Sequence, residues 1–145
     1  MYDAMDIAEY VLDYCENELK KPITNLQLQK FLYYIQGAFI RDTNKTIFDN
    51  AIEAWQYGPV VPEVYFWFSK FMSSPITGIK TSDNLNLTDK EKEIIKKVIS
   101  ENIDLGPWEL VDKTHKESPW LKNYVENLNL KIGIEDLKNF FCEDK

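Results

Sequence analysis

The sequence has few of the side chains that build metal or nucleophilic sites. Among its 145 residues there are two cysteines, Cys15 and Cys142, and one histidine, His115. The cysteines lie near opposite ends of the chain with no further Cys or His at ligand spacing, so the sequence predicts no zinc site and implies no disulfide. A single histidine also limits acid–base catalysis, because a catalytic imidazole needs a positioned nucleophile or carboxylate. We therefore expect neither a metal nor a cofactor.

Glycine is also scarce, with five residues in the whole chain. None of the glycine-rich patterns that bind dinucleotides or phosphates, or that expose a nucleophilic serine, occurs in the sequence. The sequence therefore predicts a protein that is not an enzyme. One alternative stays open, a hydrolase that uses His115 with a nearby carboxylate, although a histidine held by local hydrogen bonds is the interpretation that we favour.

The sequence also has no excess of positive charge and no long apolar run. The 17 Lys and Arg residues against 24 Asp and Glu give a net charge of −7, which argues against binding to a nucleic-acid backbone. No apolar run is long enough to span a membrane, and the start Met1–Asp6 lacks the features of a signal peptide, so we expect a cytoplasmic protein that binds no membrane. An acidic surface favours basic protein partners, although acidic solvated faces are common.

Apolar and aromatic residues, in contrast, are plentiful. They make up 44% and 14% of the chain, enough for the core of one compact domain over residues 1–145. Apolar spacing and capping signals predict about six helices. Their expected starts are Asp3 or Asp6, Thr24 with Gln27, Pro62, Thr88 with Glu91, Trp108 and Ile134. The fold class is therefore mainly α, and Ser118–Pro119 is expected to end the fifth helix.

A small β element is the remaining expectation. Residues Ile52–Trp55 form a short extended piece, and Ile76–Asn86 alternates loosely enough to be either an edge strand or an open loop. If it is a strand, the two segments could form a hairpin. We therefore expect at most two strands.

The most informative segment is the corner between Glu53 and Tyr65. Gly58 tolerates positive φ, Pro59 fixes its own φ, and Pro62 suits the first turn of a helix, so the corner is stiff. Trp55, Tyr57, Tyr65 and Trp67 surround it without a basic groove, which favours a core or a protein interface over nucleobase stacking. We also expect Trp55 and Tyr65 to lie close together across the corner.

Three segments together carry a family resemblance: Leu26–Tyr34, Ile52–Tyr65 and Leu110–Trp120. With them the chain resembles the Panacea antitoxin domain family, which is also called SocA-like and is phage-associated. The resemblance implies a mainly helical domain of prophages and other mobile elements that neutralises a cognate protein toxin by direct contact. In one branch of the family the domain is an adaptor that delivers its toxin to a cytoplasmic protease. Members with an amino-terminal DNA-binding domain differ from this chain, in which a helix begins at once, so direct operator binding is not expected.

The resemblance extends the candidate partner-binding surface beyond the four aromatic residues. The surface is expected near the corner and the flanking helices, including the segment around His115. The candidate residues are Trp55, Tyr57, Gly58, Pro59, Val60, Tyr65, Trp67, Thr114, His115 and Trp120. A phage protein that binds host machinery in place of a toxin is a further alternative.

Overall fold

The computed structural model describes residues 1–143, which form seven α-helices and one three-stranded antiparallel sheet. This confirms the expected mainly-α fold, with one helix and one strand more than the sequence predicted. A π-helical turn at Tyr14–Glu18 continues the first helix, and a 3₁₀ turn at Ser69–Phe71 follows the third. The helices are α1 (Ala4–Asp13), α2 (Asn25–Thr43), α3 (Pro62–Trp67), α4 (Asp89–Asn102), α5 (Pro107–His115), α6 (Ser118–Asn123) and α7 (Ile134–Phe141), and the strands are β1 (Ile52–Trp55), β2 (Gly58–Val60) and β3 (Lys131–Ile132).

Helix α2 is the centre of the fold, and α1, α3, α4, α5, α7 and β2 pack around it. It begins at the capping box in which Thr24 and Gln27 exchange hydrogen bonds, and it ends at Asn44, whose φ of 62° is left-handed. Almost its entire surface is buried, because neighbours cover it on all sides. Although α2 is the longest helix of residues 1–143, neither it nor any other helix there is both long and apolar enough to cross a membrane.

The interior of the fold is not purely apolar, because α2 carries buried amides as well. The Gln36 side chain accepts a hydrogen bond from the Ile47 backbone N–H at 2.9 Å and donates one to the Phe48 carbonyl at 2.9 Å. A buried polar group costs free energy unless it is paired, so these bonds fix the loop that leads into the sheet.

The sheet has the order β2-β1-β3, and the β1–β2 hairpin contains the predicted corner. Trp55 pairs with Gly58 at the turn, and Ile52 pairs with Ile132 on the other side of β1. The suggested hairpin between residues 52–55 and 76–86 is wrong. Carboxylates of α1 and its π-helical turn instead accept hydrogen bonds from the backbone of that loop, Glu16 from Gly78 and Asp13 from Thr81.

The end of α3 and the start of α6 differ from the sequence prediction. The apolar spacing of Val64, Phe68, Phe71 and Met72 predicts a longer third helix. Helix α3 instead stops at Trp67, and Met72 is 82% exposed with a φ of 54°. The predicted stop at Ser118–Pro119 is also a start, because proline has no N–H to lose in the first turn of a helix. These differences shorten α3 and add α6.

Candidate functional site

The side chains of Lys30 and Thr114 pack closely against the corner at Gly58. Gly58 has a φ of +110°, and a Cβ atom placed there would lie 2.5 Å from Lys30 Cε and 2.8 Å from Thr114 Oγ1. Both the backbone conformation and the lack of space therefore require glycine at this position. The stiff corner inferred from the sequence thus rests on the side chains of α2 and α5.

Lys30 of α2 lies directly beneath the corner and is fully buried. Its Nζ donates a hydrogen bond to the Pro59 carbonyl oxygen at 3.0 Å. Burial lowers the pKa of Lys30 from its ordinary value of 10.5 to about 7, because the charged form loses its hydration. This hydrogen bond between two buried groups ties the corner to α2.

A chain of amides continues this support toward α3. The Val61 backbone N–H donates to Gln29 Oε1 at 2.9 Å, and Gln29 in turn donates to the Asn25 side chain at 2.9 Å. Asn25 donates to the Tyr65 carbonyl at 3.0 Å. Two adjacent polar residues, Gln29 and Lys30, therefore hold the backbone on which the aromatic residues are mounted. Sequence reasoning missed this role, although polar residues inside an otherwise apolar helix were a visible signal.

Above the corner, aromatic rings form a first cluster around Trp55. The ring centroids of Trp55 and Tyr65 are 5.2 Å apart in an edge-to-face arrangement, which confirms the predicted proximity. Phe66 packs against Trp55 at 5.8 Å. The Trp55 indole N–H donates to Glu53 Oε1 at 2.9 Å, so the orientation of the indole is fixed.

A second cluster stacks three rings behind the hairpin. His115 lies 4.0 Å from Trp120, and Trp120 lies 4.6 Å from Tyr124, with interplanar angles of 24° and 14°. The Trp120 indole donates to the Trp55 carbonyl at 2.7 Å, and His115 Nε2 lies 2.9 Å from the Gln56 carbonyl. Because a carbonyl only accepts, Nε2 carries the proton in this bond. His115 and Trp120 therefore brace the hairpin turn.

The carboxylate closest to His115 in sequence is already engaged elsewhere. Glu117 accepts hydrogen bonds from the Tyr33 and Tyr34 hydroxyls, each at 2.9 Å. Burial raises the pKa of Glu117, and these two bonds partly offset that effect by favouring the ionised form. Lys113 Nζ lies 4.3 Å from the Tyr34 ring centroid. This network ties the α5–α6 junction to α2.

The surface between the clusters is an aromatic groove of two adjoining cavities. Their volumes are about 450 and 320 Å³, and Leu26, Tyr57 and Tyr65 line both. The larger cavity is completed by Trp55, Gln56, Val60, Tyr124, Glu126, Asn127 and Asn129. The smaller is completed by Thr24, Asn25, Met72, Ser73, Pro107 and Trp108. Tyr57 and Trp108 pack edge to face at 5.1 Å and stay 47% and 59% exposed.

Many polar groups of the larger cavity have no partner. Within residues 1–143, no hydrogen bond or ion pair involves the side chains of Gln56, Tyr57, Tyr65, Tyr124, Glu126, Asn127 or Asn129. Of the residues that the structure describes, Glu126 is also the one charged residue in the lining of either cavity. The groove thus offers aromatic faces, free hydrogen-bonding groups and one negative charge.

The predicted partner-binding residues separate into three groups by position. Trp55, Tyr57, Val60 and Tyr65 line the groove. Gly58, Pro59 and Thr114 are buried beneath it, while His115 and Trp120 stand behind it, so these five shape the groove without forming its lining. Trp67 lies outside both cavities and is 61% exposed, with Lys70 Nζ 5.6 Å from its ring centroid.

Several lining residues were not among the sequence candidates. Leu26, Met72, Tyr124 and Glu126 reach the groove from separate parts of the chain, and no local pattern indicates that they meet. Trp108, which follows the helix-starting Gly106–Pro107, joins them from α5.

The described residues contain no other arrangement typical of a chemical site. Among residues 1–143, no group of three or more His, Cys, Asp or Glu side chains is placed to hold a metal ion. Both cysteines are free thiols, and burial raises the pKa of Cys15 to about 12. The aromatic groove is therefore the candidate functional site.

Comparison with known proteins agrees with the resemblance of the three sequence segments. The antitoxin SocA of Caulobacter vibrioides (strain NA1000 / CB15N) is 43% identical over 67 residues, which are 46% of this chain and 35% of that protein. The chain thus spans about a third of the length of this curated relative. No solved structure matches. The family model described as antitoxin SocA-like, Panacea domain, matches residues 28–121, more than half of the sequence, so the chain belongs to this family.

Proposed function

We propose that this protein is an antitoxin that binds a cognate protein toxin in the cytoplasm and neutralises it by covering it, without catalysis. The observation that carries the proposal is the aromatic groove, in which exposed aromatic side chains stand beside unpaired polar groups. Membership of the antitoxin SocA-like family supports the antitoxin role. The groove supplies the contact surface that such a role requires.

The composition of the groove edge suits a protein partner. Tyr57, Met72 and Trp108 line the groove and are all about half exposed or more, and large apolar side chains left in water favour a protein interface when they cluster. Tryptophan and tyrosine are also the residues that most often dominate interface energetics. Met72 has a φ of 54° and a ψ of −124°, a strained conformation of the kind that persists at binding sites.

The support beneath the groove lowers the cost of binding. Lys30 and Gln29 hold the backbone at Pro59 and Val61, and Trp120 holds it at Trp55. A surface that is already ordered loses little conformational entropy when a partner binds, so more of the contact energy appears as affinity. A preformed groove therefore fits stoichiometric neutralisation.

The test is coexpression with the product of the neighbouring gene in a bacterial host. We expect that product to stop growth alone, and this chain to restore growth and to co-purify with it. A Tyr57→Ala, Trp108→Ala double variant should keep its fold, as judged by circular dichroism, and should lose both effects. Full rescue by the folded double variant would contradict the role of the groove, and a harmless neighbouring product would contradict the pairing.

The same coexpression separates covering from delivery to a protease, the alternative that the family resemblance raises. Neutralisation by covering leaves the amount of toxin unchanged when this protein is present. Delivery lowers the amount of toxin, and the amount recovers when the cytoplasmic protease is deleted. We expect constant toxin abundance, measured by immunoblot in both strains.

A further inference from the structure

The larger cavity of the aromatic groove has a one-sided charge. Among the described residues 1–143, Glu126 is the one charged residue in its lining, and no Lys, Arg or His side chain contributes to it. Within residues 1–143, the Glu126 carboxylate has neither a hydrogen bond nor an ion pair. A free carboxylate on the wall of a cavity favours a cationic group there.

The remaining lining favours one kind of cation. Trp55, Tyr57, Tyr65 and Tyr124 present aromatic rings, which attract a cation over their faces. A guanidinium group is planar, so it stacks on such rings, and its five N–H donors need several acceptors. The unpaired tyrosine hydroxyls and the amide oxygens of Gln56, Asn127 and Asn129 supply those acceptors. A lysine ammonium has three donors and no flat face, so it would stack less well on the rings and bond to fewer of the acceptors.

Within residues 1–143, Lys113 shows that a cation packs on a tyrosine ring near a carboxylate in this fold, although its Nζ donates its hydrogen bond to Asn102 Oδ1 at 2.8 Å. Lys113 Nζ lies 4.3 Å from the ring centroid of Tyr34, whose hydroxyl is bonded to the Glu117 carboxylate. A cation, a tyrosine ring and a carboxylate thus assemble inside this fold. The groove presents the ring and the carboxylate and leaves the position of the cation open.

We propose that the larger cavity binds an arginine side chain of the partner protein, with the guanidinium stacked on the aromatic rings and paired with Glu126. This inference rests on the proposed function, because it names the chemistry that the toxin brings to the same groove. The net charge of −7 agrees with it, since an acidic surface attracts a basic partner over a longer range. The volume of about 450 Å³ is ample for one such side chain.

The test uses the purified full chain and two small probes, acetyl-arginine amide and acetyl-citrulline amide. Citrulline has nearly the shape of arginine but no charge. The readout is the NMR signal of the Trp55 indole N–H, titrated at constant ionic strength. We expect saturable binding of the arginine probe with a Kd on the order of millimolar, and at least roughly 10-fold weaker binding of the citrulline probe. Equal binding of the two probes, or no saturable shift of Trp55, would overturn the inference.

A charge-matched pair of variants makes the test specific. Glu126→Gln should weaken binding of the arginine probe by roughly 5- to 10-fold and leave the citrulline probe unchanged. Glu93→Gln, which removes the same charge from an exposed position on α4, should change neither. If Glu126→Gln and Glu93→Gln behave alike, long-range charge accounts for binding and the inference fails.

The probe titration and the growth assay can fail separately. If arginine is preferred and Glu126 matters, but a folded double variant of Tyr57 and Trp108 still rescues growth, the role of the groove in neutralisation falls and the arginine-binding site stands. If rescue depends on the groove but the two probes bind equally, the inference falls and the proposed function stands. A dimer in sedimentation experiments that buries the groove and dissociates in the double variant would show that a second copy occupies it, which also overturns the inference.

Discussion

The polar side chains beneath the hairpin and those in the groove above it differ in one respect. Below, Gln29 and Lys30 are buried, and each is hydrogen-bonded to the backbone or to another side chain. Above, the side chains of Tyr57 and Glu126 make no hydrogen bond or ion pair within residues 1–143. Both regions contain polar side chains, and they lie on opposite sides of the β1–β2 hairpin. They differ in whether those side chains are hydrogen-bonded within the fold.

We infer that the hydrogen-bonded groups under the hairpin are needed for stability, whereas the unpaired groups in the groove are available to a binding partner. Paired buried groups resist change, because removing one partner leaves the other without hydrogen bonds and without water. Unpaired exposed groups are solvated, so they contribute little to folding and are free to bind another molecule. Substitutions below the hairpin should therefore affect stability, and substitutions in the groove should affect binding.

The largest expected effect on stability comes from Gly58→Ala. The added Cβ meets Lys30 and Thr114 at 2.5 and 2.8 Å, and the φ of +110° strains any other residue. We expect a loss of about 4 kcal/mol in the free energy of unfolding, from strain and overpacking together. Gly78→Ala is the matched control, because its φ is +80° but nothing lies within 4 Å of the new atom, so about 1 kcal/mol is expected. Equal losses in denaturant unfolding would show that the corner is not packed from below.

The next effect is a dependence of stability on pH that comes from Lys30. Its pKa is about 7 in the folded state and near 10.5 in the unfolded chain, so the unfolded chain binds more protons between these values. Stability should therefore rise as the pH rises above 7, by about 3 kcal/mol up to pH 9.5. Below pH 7 both states are protonated, and this contribution is constant. Lys30→Met should remove the rise, so the two proteins are compared by denaturant unfolding across this range. Parallel curves would mean that Lys30 is solvated.

Gln29→Leu tests the amide chain with little change in volume. The substitution leaves the Val61 backbone N–H and the Asn25 side-chain Oδ1 unpaired in the interior. We expect a loss of about 2 kcal/mol in the free energy of unfolding. Gln56→Leu, at an exposed groove residue with an unpaired side chain, should change stability by less than about 0.5 kcal/mol. Similar losses for the two variants would remove the distinction between paired and unpaired regions.

The sequence predicted the helices well because their signals are local. Both capping boxes, at Thr24 and Thr88, form as expected, and Pro62 starts α3. The pairing of β1 with β3 was not predictable, since it joins Ile52 to Ile132, 80 positions apart, and β3 is only two residues long. The course of the 76–86 loop was missed for a similar reason, because its partners are carboxylates on α1 and the turn that follows it.

The groove was predictable only in part, for the same physical reason. Trp55, Tyr57 and Tyr65 are close in sequence, and one stiff corner brings them together. Leu26, Trp108, Tyr124 and Glu126 arrive from α2, α5 and the segment after α6, which only tertiary packing aligns. Thr114 is a candidate binding residue from the family segment Leu110–Trp120, yet it is fully buried beneath Gly58. A sequence motif therefore marks the support of a surface as readily as the surface itself.

A small effect on stability should accompany a large effect on binding at Trp108. Trp108 and Trp67 are 59% and 61% exposed, so Trp→Ala at either position should cost about 1 kcal/mol or less in the free energy of unfolding. Trp108 lines the groove and packs on Tyr57, whereas Trp67 lies outside both cavities. We therefore expect Trp108→Ala to lose growth rescue and toxin binding, and Trp67→Ala to keep both. If the reverse holds, the partner contacts the face of α3 that carries Trp67, as the sequence candidates alone allowed, and the unpaired polar groups of the groove have no role in recognition.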